Sequence, residues 1–144
     1  MDNKLLIDTV ALVNDYIHKQ TDIKLDISDR SLQELADLIG NYQMTRSRKM
    51  TVLSCCMLLS AGIRKHSKLP DQSQKQLARK ILDGDYLIGL IYKLAISRKE
   101  QKLLTKLTPI YKKVQLQVVK GLPVEEVMTE LKQEIKVYME QQSA

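Results

Sequence analysis

Apolar residues recur along this chain at helical spacing, and the pattern predicts about six helices. Leu6, Val10, Val13 and Ile17, flanked by Leu5, Leu12 and Tyr16, place an amphipathic helix over roughly residues 3–19. The stretch QTDIKLDIS interrupts the pattern and reads as an irregular link. Leu32, Leu35, Ala36 and Ile39 mark a second helix, with Ser28 a suitable N-cap and Gly40-Asn41 a natural end. A basic TRSRK then leads into MTVLSCCMLLSAGI, Met50 to Ile63, whose few polar residues (Thr51, Ser54, Ser60) are small. Small hydroxyls bond back to the helix backbone, so this segment predicts a buried third helix, with RKHSKLP as the loop after it.

Ser73 and Gln76 have capping-box spacing and open a fourth helix running to about Ser97. A fifth covers roughly 99–120, with a kink or break expected near Thr108 because Pro109 lies inside it, and Gly121 stops it. Pro123 suits the first turn of the last helix, and Glu125 and Glu126 suit its positive end. Val124, Val127, Met128, Leu131, Ile135 and Tyr138 form its apolar stripe. No repeat, low-complexity segment or strand pattern interrupts this series. The expected fold class is all-α, a single helical bundle over residues 1–144.

The fourth helix is the unusual one. Leu87, Ile88, Leu90, Ile91, Tyr92, Leu94, Ala95 and Ile96 cover an arc of roughly 240° on a helical wheel. A surface helix needs an apolar arc of only about 100° or somewhat more. Two readings follow. Either another subunit or an apolar ligand covers one side, or the helix sits at the centre of its own chain's core. Asp85 lies about 20° from Tyr92 and Ile96 on that wheel. An acid within an apolar arc needs a partner, either across a subunit boundary or within its own chain.

Composition narrows the possibilities without deciding among them. Trp and Phe are absent, so the core is built from Leu, Ile, Val, Ala and Met, and three Pro with five Gly leave room for long helices. The adjacent Cys55 and Cys56 point in different directions on a helix, which argues against a mutual disulfide and for two buried thiols. The opening MDNKLLIDTVALVNDY is not expected to act as a signal peptide, and no segment has the roughly 18 uninterrupted apolar residues of a membrane span. A cytoplasmic location is expected, with peripheral membrane contact left open.

The net charge of +6 admits an anionic partner, although the charges are spread along the chain. Arg46, Arg48 and Lys49, and separately Arg64, Lys65 and Lys68, are the basic clusters on which a nucleic-acid-binding or adaptor module would depend. The tyrosines do not interleave with them, and nucleic acid is the weaker expectation. Catalytic patterns are lacking. His18 and His66 read as surface residues, and no GxSxG, HExxH, P-loop or GxGxxG motif occurs. Asp83 and Asp85 diverge by roughly 200° on a helix and cannot jointly grip one metal ion.

The segment LDGDYLIGLIYKLA, Leu82 to Ala95, resembles the L-x-GDY-x-x-x-x-x-Y-x-L-A stretch of a known family. That family is the small, non-catalytic component of bacterial two-component polyprenyl diphosphate synthases, the hexaprenyl and heptaprenyl enzymes of menaquinone side-chain synthesis. The similarity continues through KLLTKLTPIYKKVQLQ, is specific over about residues 75–117, and in length suits the hexaprenyl version better. The GDY helix is also similar to one found at the subunit interface of catalytic trans-prenyltransferases.

The resemblance implies a truncated prenyltransferase bundle that pairs as a heterodimer with a catalytic subunit. That partner would carry the DDxxD motifs and the Mg²⁺ that holds the allylic diphosphate. This chain contains no Asp-Asp pair, so no cofactor and no catalytic residue are expected on it. Its implied roles are to complete the active enzyme and to help set product length by contributing apolar wall to the prenyl tunnel. Asp85, Tyr86, Leu87, Leu90, Ile91 and Leu94 are the expected partner interface. Cys55, Met57, Leu58 and Ala61 are the expected tunnel lining. On this reading a charge at Leu90 or Ile91 prevents pairing, and Ala61→Phe shortens the product.

Overall fold

The computed structural model describes residues 3–17, 23, 25, 29–67, 74–121 and 127–143. Within them the chain is all-α, with six α-helices and no strand among the described residues. These are α1 (Asn3–Tyr16), α2 (Arg30–Gly40), α3 (Arg46–Ser67), α4 (Gln74–Ser97), α5 (Leu104–Val119) and α6 (Val127–Gln142), with a 3₁₀ turn at Gln101–Leu103 before α5. His18, Ser28, Lys68, Ser73, Pro123, Val124, Glu125 and Glu126 lie outside the described residues.

α3 is the axis of the fold. It packs against α1, α2, α4 and α5, and every residue from Thr51 to Ser60 is buried. The hydroxyls within it find local partners: Thr51 Oγ1 donates to the Ser47 carbonyl (2.9 Å) and Ser54 Oγ to that of Met50 (2.7 Å). No polar atom in these two side chains is therefore left without a bond in the dry interior. α3 is longer than its apolar stretch predicts, because the basic residues at each end are helical and reach partners on other elements. Arg46 pairs with Asp8 (2.8 Å), Lys49 Nζ donates to the Gly40 carbonyl (2.9 Å), and Arg64 pairs with Asp29.

One boundary expectation is corrected and a second is narrowed. Asp29 caps α2, its carboxylate accepting from the Ser31 amide (2.9 Å). α5 runs as one helix through the exposed Pro109, so no break occurs near Thr108. α4 ends where its apolar pattern does, but without glycine. Lys99 adopts a left-handed φ of 61°, the Lys99 amide donates to the Ile96 carbonyl (3.2 Å), and the Glu100 amide donates to that of Ala95 (2.7 Å). This is a Schellman closure with lysine in the position that usually takes glycine. It turns Glu100 inward.

Glu100 is 3% exposed. Its two oxygens accept from Arg48 Nε and Nη2, each at 2.9 Å, and one also accepts the Tyr138 hydroxyl. Arg48 Nη2 donates further to Gln142 Oε1 (3.0 Å). The network joins the start of α3, the α4–α5 turn and the end of α6. Beside it, Cys55 and Cys56 are buried and form no disulfide. Burial, with a smaller contribution from Glu100, pushes the Cys55 thiol up to about 12, and burial also raises Cys56.

A raised thiol pKa holds the proton in the folded chain at pH values where the unfolded chain loses it. Stability is therefore fully present below the unfolded pKa near 8.5 and falls as pH rises toward the folded value. Each thiol should remove about 1.4 kcal/mol per pH unit in that window. A Cys55→Ala/Cys56→Ala variant, less stable at pH 7, should show a shallower loss in urea midpoint between pH 8.5 and 10.5. Equal slopes in both proteins would rule out the thiols as the source.

Candidate functional site

The GDY segment sits where α3 crosses α4, the most extensive helix contact in the chain. A Cβ on Gly84 would collide with the His66 ring, and one on Gly62 would lie 2.8 Å from Ile88 Cδ1. These two glycines let the backbones approach and seat the imidazole directly on α4. His66 Nε2 lies 3.3 Å from Asp85 Oδ1 and 3.2 Å from the Ile81 carbonyl, while Nδ1 lies 3.5 Å from the Tyr111 hydroxyl. The next residue, Tyr86, donates to the Tyr16 carbonyl at the end of α1 (3.4 Å). Three consecutive residues thus tie α4 to α3 and α1, and through His66 to Tyr111 on α5.

His66 is the residue that the sequence pattern misplaces. It is in the last turn of α3 rather than a loop, and its side chain is largely buried. Asp85 finds its partner within its own chain, although its side chain remains 61% exposed. Asp83 turns the other way, toward Lys65 (3.8 Å).

α4 and α5 diverge beside this junction. Between them, with α3 beneath, lies a cavity of about 250 Å³ lined by Ile63, Ile81, Val114, Val118, His66, Asp85, Tyr111 and Gln115. Burial, then the charge of Asp85, raises the Tyr111 phenol, which stays protonated well above neutral pH.

The other expected site residues lie elsewhere. Leu87, Leu90, Ile91 and Leu94 are buried in the chain's own core against α3, so in the isolated chain they are not surface residues. A charge at Leu90 or Ile91 would therefore disrupt the fold of this chain before it could report on pairing. The apolar residues that α4 leaves outside are Ile81, Leu82 (67% exposed), Tyr92 and Ile96 (57%). Leu82, Asp85, Gly89, Tyr92 and Ile96 recur at spacings of three and four and share one face. Cys55, Met57 and Leu58 are packed in the core around α3, and Ala61 is half-buried. None of the four lines the α4–α5 cavity.

The basic clusters are largely committed to intrachain bonds. Arg46, Arg48, Lys49, Arg64 and Lys65 each pair with an acid or a carbonyl of another element. No group of three or more His, Cys, Asp or Glu placed to hold a metal ion occurs among the described residues, and none of their helices is long and apolar enough to cross a membrane. No family model, curated protein or solved structure matches this chain.

Proposed function

We propose that this chain is the non-catalytic subunit of a heterodimeric trans-polyprenyl diphosphate synthase. Its partner is a DDxxD-bearing catalytic subunit that binds Mg²⁺, farnesyl diphosphate and isopentenyl diphosphate and builds a hexaprenyl or heptaprenyl chain. The observation that carries this reading is the outer face of α4. The helix with the GDY sequence is clamped to α3 on one side and keeps Leu82, Tyr92 and Ile96 in solvent on the other. Apolar side chains in a row along a rigid helix form a surface that gains from being covered.

The partner surface on this reading is Leu82, Asp85, Gly89, Tyr92 and Ile96, with Leu87, Leu90, Ile91 and Leu94 supporting it from inside. Product length is influenced through that contact, since a wall pressed against the partner's tunnel changes its depth. Each added isoprene unit buries five carbons and gains on the order of a few kcal/mol.

Reconstitution tests the proposal. Each protein alone should make little long-chain product, and the two together should make it in the presence of Mg²⁺. Leu82→Glu/Ile96→Glu, which changes only exposed positions, should leave the circular dichroism of the chain intact and abolish co-elution with the partner. A catalytic subunit whose rate and product are unaffected by this chain would remove the proposal.

A further inference from the structure

The cavity between α4 and α5 shares only Asp85 with the proposed partner surface. Its floor and walls are apolar, formed by Ile63, Ile81, Val114 and Val118, while its polar groups are confined to His66, Asp85, Tyr111 and Gln115. A dry cavity of about 150 Å³ takes up benzene. The 250 Å³ here therefore accommodates an aromatic or branched aliphatic group of about ten non-hydrogen atoms.

The polar groups select the head of such a ligand. His66 Nε2 faces two acceptors, Asp85 Oδ1 and the Ile81 carbonyl, so it carries the ring proton. Nδ1 lies 3.5 Å from the Tyr111 hydroxyl on the other side of the ring. The Asp85 carboxylate, 61% exposed, is open on the side away from the imidazole. Among the described residues Asp85 is the one acid lining the cavity, and no Lys or Arg lines it. Tyr111 adds a neutral π-face, which also attracts cations. The Ile81 carbonyl and the Gln115 amide supply further acceptors at the same cavity. A carboxylate ligand would meet Asp85 with like charge, and a neutral alcohol would gain no charge pairing there. A primary ammonium pairs with the Asp85 carboxylate and keeps further donors for neighbouring oxygens or water.

We infer that the α4–α5 cavity binds a small primary amine, its apolar body among Ile63, Val114 and Val118 and its ammonium on Asp85. The probes are 2-phenylethylamine, its uncharged counterpart 2-phenylethanol and its anionic counterpart 3-phenylpropionate. They are titrated into the full chain by calorimetry at neutral pH and low salt. The amine should bind saturably, one per chain, and about tenfold more tightly than the other two. Asp85→Asn should bring the amine to the level of the alcohol and leave the alcohol unchanged. Val114→Phe, or Val118→Phe at the half-buried wall if the first does not fold, should eliminate binding of all three.

Equal affinities for the three probes would overturn the inference. So would tightest binding of the anion, no saturable binding of the amine, an unaltered amine affinity in Asp85→Asn, or full binding in a folded cavity-filled variant. None of these outcomes depends on a catalytic partner, so the test is separate from that of the subunit proposal.

Discussion

Replacing Leu94 with alanine should destabilise the isolated chain by about 4 kcal/mol. Leu94 is fully buried on the inner face of α4. Truncation removes its transfer free energy and leaves a cavity that α3 and α4, held together at Gly62 and Gly84, cannot easily close. Leu87→Ala should behave alike, since Leu87 is equally buried. Leu82→Ala, on the exposed face, should change stability by about 0.5 kcal/mol or less. The measurement is the urea midpoint with an unchanged m-value, which separates a stability change from a change in the unfolded state. If Leu94 instead awaited a partner, its truncation would be nearly silent in the lone chain and costly only in the complex. A small effect for Leu94→Ala together with a large one for Leu82→Ala would invert the assignment of the two faces of α4.

The wheel of α4 carries the right amount of apolar surface but does not say which part goes where. An arc of roughly 240° exceeds what one neighbouring helix covers. Its Leu87–Leu94 portion enters the core, and its Tyr92–Ile96 edge does not. Periodicity serves better where a stripe is narrow, as for Val13 in α1, Leu35 and Ile39 in α2, and Leu131 and Ile135 in α6, all of which are buried. It fails at helix ends rich in charge. Arg46 to Lys49 and Arg64 to His66 look like loop composition, yet their long side chains reach acids and carbonyls on other elements while the backbone stays helical.

The junction at Gly84 is half legible. Gly84, Asp85 and Tyr86 stand out as a motif, but the roles of the first two depend on His66, placed by α3, and that of Tyr86 on Tyr16 at the end of α1. The usable signal is the pair of glycines in the middle of two long helices, because helix interiors disfavour glycine unless backbones must approach. Glu100 gives no such signal. It lies between Lys99 and Gln101 in a polar stretch that reads as solvent-facing, and only the left-handed Lys99 turns it inward.

That hidden carboxylate should matter more than its sequence context suggests. Glu100→Gln keeps the shape but removes the charge facing Arg48, and it should cost about 3 kcal/mol. The Arg48 guanidinium then keeps Gln142 and the one remaining side-chain oxygen at position 100, while an amide NH₂ replaces its other acceptor with a donor. The Arg48 side chain is 37% exposed and can recover some hydration, which places the cost at the lower end for a broken buried pair. Tyr138→Phe removes one hydrogen bond to the same carboxylate and should cost about 1 kcal/mol. The double variant should lose less than the sum of the two, because the phenol's favoured acceptor is already altered. Since the network ties α3, the α4–α5 turn and α6 together, its loss should also raise hydrogen exchange at both the Lys99–Leu103 turn and the end of α6. A Glu100→Gln midpoint within experimental error of the parent would mean that burial of this pair is no more favourable than its hydration, and the clamp would then have to be sought in the apolar contacts of α5 with α6.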